Sequence, residues 1–428
     1  MEALSCSGIR TVLFMKPPTR GELANFPGLR AFGIAGCSRT MSPAEMDRAL
    51  PEAFRSLRRS GAPIVHYKIC STFDSSPQIG SIGHAIDLGR RIFKSKIIPL
   101  VVGAPPLGRY CVFGHLFARS GLDSQPFRLD RHPTMSRHPI TPMRESDLRL
   151  HLAEQTACPI ELVDVLKLET GAVLLETPAT GICKVLLFDV LYQRHLPVIG
   201  RLVCHLARRN PPLFVVGSSG LEYALAAHWR TGPRPKFSVA PARQILAVSG
   251  SCSPVTQRQI EYALAKGFVG IPVHPANLLN PRSRDAEIRR RVAEALNRLD
   301  AGHSVVLHTS LGPEDSRITA TRRALSHAGL SRDDQRLKAG RMIGPFLGRI
   351  LGEILGAKKI RRIIVAGGDT SWFVAKELGI NALEMIAPMA PGSPLCRAHA
   401  SNPTANRLEI VFKGGQVGRS DFFDSVTQ

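Results

Sequence analysis

Residues 363–379 read IIVAGGDTSWFVAKELG. The run Ile363-Ile364-Val365 is apolar and β-branched, as a buried strand requires. Gly367 and Gly368 follow, then an acid at Asp369 and hydroxyls at Thr370 and Ser371. Val374 and Leu378 stand one helical turn apart, and Gly379 marks a stop. The stretch predicts a strand, a tight glycine loop and a helix N-terminus in direct succession. Glycine lets a ligand approach the backbone, and the free N–H groups of a helix start favour anions, phosphate foremost. The same turn also serves as a plain connection, and this stretch by itself leaves both readings open.

Working outward, the pattern repeats. A strand over 408–412 runs into Lys413-Gly414-Gly415-Gln416-Val417-Gly418. A strand over 245–248 runs into Ser249-Gly250-Ser251-Cys252-Ser253, and Thr256-Gln257-Arg258-Gln259 fits a capping box for the next helix. A strand over 304–307 ends in His308, Thr309 and Ser310. The segment 345–355 carries Phe346, Leu347, Ile350, Leu351, Ile354 and Leu355, the stripe of a core-facing helix. Convergence of SGSCS, GGDTS and KGGQVG on one cleft would make a nucleotide-phosphate site. Neither GxxxxGK[ST] nor GxGxxG is present.

The first half alternates in the same way, with strands expected over 11–14, 31–35, 64–67, 98–102, 185–189 and 213–216. Ser42-Pro43-Ala44-Glu45 is a capping box with proline at the first helical position, opening a helix to about Arg59. Lys68, Ser71, Thr72, Asp74, Ser75 and Ser76 cluster behind the 64–67 strand, where open α/β sheets hold ligands. Residues 103–145 are rich in Pro, Gly, His and Arg and read as an unpatterned substrate-side loop carrying Arg109, His115, Arg131, His132 and His138. Those histidines lack acid partners in register for a metal site, and hydrogen bonding in the loop is their plain reading. Residues 231–243 hold three prolines and little periodicity, which marks a linker.

The chain has 428 residues, a length that suits two domains. Its nine cysteines form no CxxC pair, so free thiols in a reducing compartment are expected. No apolar run approaches the ~20 residues of a membrane span, and the N-terminus lacks a signal peptide's apolar core. The net charge of +22 is spread along the chain, aromatics are only 6%, and no RNA-binding motif appears. A solvated arginine-rich surface with an anion-binding cleft accounts for this better than nucleic acid does.

The chain resembles the four-carbon acid sugar kinases, and most closely the 3-oxo-tetronate kinases. The resemblance is carried by HYKICSTFDSSPQIGSIGHAI (66–86), GAPPLGRYCVFGHLFAR (103–119), LDRHPTMSRHPITPM (129–143), VVGSSG (215–220), VSGSCSPVTQRQI (248–260), HTSLGPEDSR (308–317), AGGDTS (366–371) and APGSPLCRA (390–398). It implies an α/β fold of two domains with mostly parallel sheets and a ligand cleft between them: an acid-sugar domain over 1–232, a linker over 233–243 and a nucleotide domain over 244–428. It implies an ATP-dependent kinase, with Mg²⁺, that phosphorylates the C4 hydroxyl of a 3-oxo-tetronate. The cofactor contacts it implies are Ser249, Ser251, Gly367, Gly368, Asp369, Thr370 and Gly415. On the substrate side it implies Ser38, Arg39 and Lys68, and we add Arg109. Arg39 and Lys68 suit a carboxylate, one as a planar fork and the other as a point charge. Members open with a strand and the loop Ala-Asp-Asp-Phe-Thr-Gly-Ala, followed by a helix, and the resemblance implies that this chain starts near that helix's end, at Ala3-Leu4-Ser5-Cys6, without the strand and its paired acids. Asp74 is the candidate for a carboxylate beside the substrate, with turn stabilisation as its plain reading. The expected partner is a small acid sugar, without nucleic acid or membrane, in the cytoplasm, with a homodimer as the default. The alternative is an inactive member that binds ligand and transfers nothing.

Overall fold

The computed structural model describes residues 1–120, 124–138, 140–171, 183–229, 235–327 and 329–428, except the side chains of 332–334 and 336–338. Two large sheets carry it. Five parallel strands, in the order Ile64–Lys68, Leu213–Gly217, Ile97–Val101, Lys184–Phe188 and Ile160–Val163, form the first. In its central strand, Ile98 and Leu100 face helices Pro43–Arg59 and Ile82–Phe93, while Ile97 and Val101 face helices His195–Arg209 and Ser219–His228. Successive side chains of a strand point to opposite faces, so a strand covered on both sides must be apolar throughout.

Among the described residues the second sheet has nine strands. Val269–Pro272, Val305–His308, Ile245–Ser249, Arg362–Ala366 and Glu409–Lys413 lie parallel. Leu246, Val248, Ile363 and Val365 pack under helices Arg284–Asp300, Arg332–Ala357 and Gly368–Glu377, while Ile245, Ala247 and Ile364 pack under Pro254–Ala265 and Phe422–Ser425. The antiparallel pair Ser393–Ala400 and Ile380–Ala390 extends the sheet. Strands Thr11–Phe14 and Ala31–Ile34 complete it, with Val12 opposite Glu384. A partition at residue 232 would group those two strands with the first sheet, but their hydrogen bonds join them to the second. Of the expected linker, residues 231–234 lie outside the described residues. Residues 235–243 run along the second sheet's domain, where Ala242 donates its N–H to the Thr427 carbonyl.

Three expectations are corrected. Residues 103–145 are not one unpatterned loop: Arg109–Val112, His115–Arg119 and Pro126–Arg128 form a small antiparallel sheet, whose short strands alternate too briefly to register as a pattern. Residues 121–123 and 139 of this stretch lie outside the described residues. The helix expected from Pro345 begins at Arg332 and runs through the proline. Glycines 340, 344 and 348 let it lie close against helix Gly368–Glu377; a Cβ on Gly348 would stand 2.6 Å from that of Glu377. Finally, the cap of helix Pro254–Ala265 is Ser253, which accepts from the Val255 N–H. Pro254 suits the first helical position, so the helix starts three residues early and Thr256 falls inside it. The capping box at Ser42 is present, with Glu45 returning to the Ser42 N–H.

Candidate active site

The three glycine–serine loops converge at the C-terminal ends of neighbouring parallel strands. Ser249 ends its strand fully buried, and its carbonyl accepts from the Thr309 N–H at 3.0 Å. Gly250 donates to Ala366, and Gly367 donates to Lys413, at 3.0 and 2.9 Å. These bonds tie the loops of three strands edge to edge. Gly367 has φ of +124°, which only glycine adopts without strain, and helix Gly368–Glu377 starts at the next residue. Its first turn presents Gly368 and Asp369 to solvent, while Thr370 is buried against Gly250. Gly415 lies so close to the Ser251 hydroxyl that a Cβ would stand 2.7 Å from it. The cofactor residues expected from the sequence therefore gather at one end of the second sheet, where Gly368, Asp369 and Gly415 form a surface and Ser249, Ser251, Gly367 and Thr370 lie buried against it. Such a surface suits the phosphates of a nucleotide.

The opposite wall comes from the first sheet. Asp74 is buried, and Thr72 Oγ1 donates to its Oδ1 at 2.5 Å. Arg39 Nη1 lies 3.6 Å from Asp74 Oδ2. Burial pulls the Arg39 guanidinium down, but Cys70, Asp74 and Asp369 around it outweigh this and the net direction is up. The same guanidinium reaches the other wall: a Cβ on Gly368 would stand 3.7 Å from Arg39 Nη2. Arg39 thus stands between Asp74 and the start of the nucleotide-loop helix. Arg341 of helix Arg332–Ala357 holds the neighbouring residue, donating to the Thr40 carbonyl at 3.1 Å.

Arg109 donates through Nη1 to the carbonyl of Leu107 at 2.9 Å, and its buried Nε has no partner among the described residues. Burial lowers it, against the pull of Cys70 and Asp74. His138 is lowered by burial, with Asp74 opposing and Arg39 adding, so it faces the same cluster. Ser38 bonds the Tyr67 hydroxyl at 2.9 Å and so anchors the 38–40 turn to strand Ile64–Lys68. Lys68 is exposed at the end of that strand, its Nζ 3.4 Å from the Ile69 carbonyl.

Thr256 and Gln259, expected as a helix capping box, and Lys413, expected only as the start of the KGGQVG motif, hold the last glycine loop. Thr256 Oγ1 donates to the Gly415 carbonyl at 2.8 Å. Gln259, one turn on, donates to the carbonyls of Val417 and Arg419 at 2.9 and 2.8 Å. Lys413 Nζ donates to Thr256 Oγ1 at 3.2 Å from a fully buried position. The signal available was a lysine at the end of an apolar strand, and nothing in the sequence set it apart from a surface lysine. Among the described residues no helix is long and apolar enough to cross a membrane, and no group of three metal-binding side chains forms.

A family model described as a sugar-binding N-terminal domain matches residues 1–225, and one described as a nucleotide-binding C-terminal domain matches residues 246–423. The chain is 47% identical to the 3-oxo-isoapionate kinase of Paraburkholderia graminis, over 100% of its own length and 91% of that protein's. It is 31% identical to the 3-oxo-tetronate kinase of Methylobacterium radiotolerans, over 98% and 93% of the two chains. Among solved structures, a Salmonella typhimurium protein superposes with a TM-score of 0.77 at 23% identity, covering 99% of this chain and 94% of that one. A Haemophilus influenzae protein of the DUF1537 family gives 0.67 at 21%, covering 99% and 95%. At these identities both structures speak to the fold alone. Two domain models spanning nearly the whole chain, and two kinase relatives above 30% identity, meet on a cleft whose walls suit a phosphate chain and an anion: the protein belongs to the four-carbon acid sugar kinase family, and is an ATP-dependent carbohydrate kinase.

Proposed function

We propose that this kinase transfers the γ-phosphoryl group of ATP to a terminal hydroxyl of a 3-oxo acid sugar. 3-Oxo-isoapionate is the first candidate, because the more similar of the two relatives acts on it, and 3-oxo-tetronate (at its C4 hydroxyl) is the second. The observation that carries the reading is the position of Arg39, in reach of Asp74 on one wall and of the Gly368–Asp369 helix start on the other.

In this reading the nucleotide phosphates rest on the backbone N–H groups of Gly368 and Gly415 and on the hydroxyls of Ser251 and Thr370, while Ser249, Gly250 and Gly367, whose backbone groups bond neighbouring strands, shape the loops that carry them. The substrate carboxylate is drawn by the charges of Arg109 and Lys68. Ser38 acts by fixing the turn that carries Arg39. Asp74 takes the proton of the attacking hydroxyl; the new P–O bond forms as the bond to the β-phosphate oxygen breaks, and ADP leaves. Arg39 counters the charge that builds on the transferred group. Mg²⁺ requires only one or two protein carboxylates beside phosphate oxygens and water, and Asp369 at the helix start meets that requirement. Bound there, the ion would neutralise phosphate charge. A cytoplasmic location and a homodimer remain part of the proposal.

The test is ADP release with 3-oxo-isoapionate, 3-dehydro-D-erythronate and 3-dehydro-L-erythronate, each with Mg²⁺. Turnover with any of them, abolished in Asp74→Asn, is the expected result. Silence with all three from folded protein would sink the reading in favour of an inactive ligand-binding member.

A further inference from the structure

Lys413 is the last residue of strand Glu409–Lys413 and only 1% exposed. An ammonium carries three donors, and among the described residues this one uses one of them, on the Thr256 hydroxyl at 3.2 Å. The rings of Phe422 and Phe423 flank it at 5.8 and 6.0 Å. Among the described residues no carboxylate pairs with it, and burial alone pulls its pKa down to about 8. A buried cation without a counter-ion is costly, and a fold made only for stability would replace it with an apolar side chain. Its surroundings suggest what compensates. Thr256 passes the contact on to the Gly415 carbonyl at 2.8 Å, and Gly415 abuts the Ser251 hydroxyl. The Lys413 carbonyl accepts from the Gly367 N–H, at the other glycine loop. Lys413 therefore joins the glycine loops, its backbone holding the Gly367 loop and its ammonium reaching the Gly415 loop through Thr256.

We propose that Lys413 is a positioning residue for the nucleotide, a buried cation whose missing counter-ion is the phosphate chain and which holds the Gly414–Gly415 loop through Thr256. The inference rests on the nucleotide reading of those loops. It makes the energy of the buried charge conditional: unfavourable in the empty protein and recovered when polyphosphate arrives. Coulomb attraction scales with the ligand's charge, and an effective dielectric of about 20 lets it act beyond direct contact. The effect must therefore grow with the number of phosphates.

The experiment titrates ATP, ADP and adenosine into the full chain and into Lys413→Met and Thr256→Val, alongside the thermal midpoint of each unliganded protein. Lys413→Met should leave adenosine binding unchanged, weaken ADP, and weaken ATP about tenfold or more. Its unliganded midpoint should equal or exceed that of the wild type. Thr256→Val keeps the charge and cuts the link, so it should show the same ranking with smaller losses. Equal affinities in wild type and Lys413→Met would overturn the inference. So would a loss of the same size for adenosine as for ATP with a lowered midpoint, because that is the signature of a packing role. Should Lys413→Met not fold, Thr256→Val decides by the same ranking. A wild type that binds no nucleotide would overturn the nucleotide reading and this inference together.

Discussion

Arg39 is half exposed, yet a carboxylate from each wall of the cleft, Asp74 and Asp369, acts on it. Replacing it with methionine keeps much of its stem and removes the fork. Arg39→Met should lower kcat about 10²- to 10³-fold while ADP affinity changes little, a loss typical of one donor that serves the transition state. Steady-state kinetics beside ADP titration reads this. A second residue sets a pH limit. His308 is buried, and its Nδ1 accepts from Arg317 Nη2 at 3.0 Å. Burial first, and the Arg317 charge second, pull its pKa to about 4. In the unfolded chain it titrates near ~6.5. Between those values the unfolded chain binds a proton that the native protein refuses. Stability is thus complete above about pH 6.5 and falls as pH drops toward 4. Urea unfolding at stepped pH should show this decline, and His308→Gln should flatten its upper part, before the carboxylates titrate.

The helix pair Arg332–Ala357 and Gly368–Glu377 shows how an element far from the ligand fixes the loop. A Cβ on Gly348 would stand 2.6 Å from Glu377 Cβ and 3.3 Å from Val374 Cα. Gly348→Ala should cost about 1–3 kcal/mol through forced separation of the helices, in spite of alanine's better helix propensity. Because the second helix begins at Gly368, nucleotide affinity should fall as well; urea unfolding and ADP titration measure the two. Elements of this kind were only partly legible in the sequence. The strand–glycine–helix reading of 363–379 holds, with strand Arg362–Ala366, helix Gly368–Glu377 and Gly379 at φ of +65°. Local chemistry decides such a turn. The long helix was missed upstream of Pro345 because proline usually ends helices, whereas here close packing against a neighbour remote in sequence sustains it. Thr256 was legible as a hydroxyl near a helix start, but its partner Gly415 stands 159 residues away. Lys413 was hidden for the same reason, since burial belongs to the assembled fold.

At the scale of the whole molecule, strands Thr11–Phe14 and Ala31–Ile34 belong to the sheet of the nucleotide domain. Arg10 reinforces the seam, with Nε 2.8 Å from Glu384 Oε1. A fragment of residues 235–428 should therefore expose the eleven-residue edge Ile380–Ala390 and aggregate, because a long unpaired edge recruits other strands. Adding a peptide of residues 1–36 should restore solubility and ADP binding; light scattering and titration decide. The seam bears on ancestry as well as on folding. A gene crossover in the 230s between two such kinases would deliver an acid-sugar domain from one parent together with two strands that must zip onto the other parent's sheet. Substrate preference would then travel by recombination only between parents whose seam residues match, and the sequence around Val12 and Glu384 becomes a record of which exchanges the lineage was able to keep.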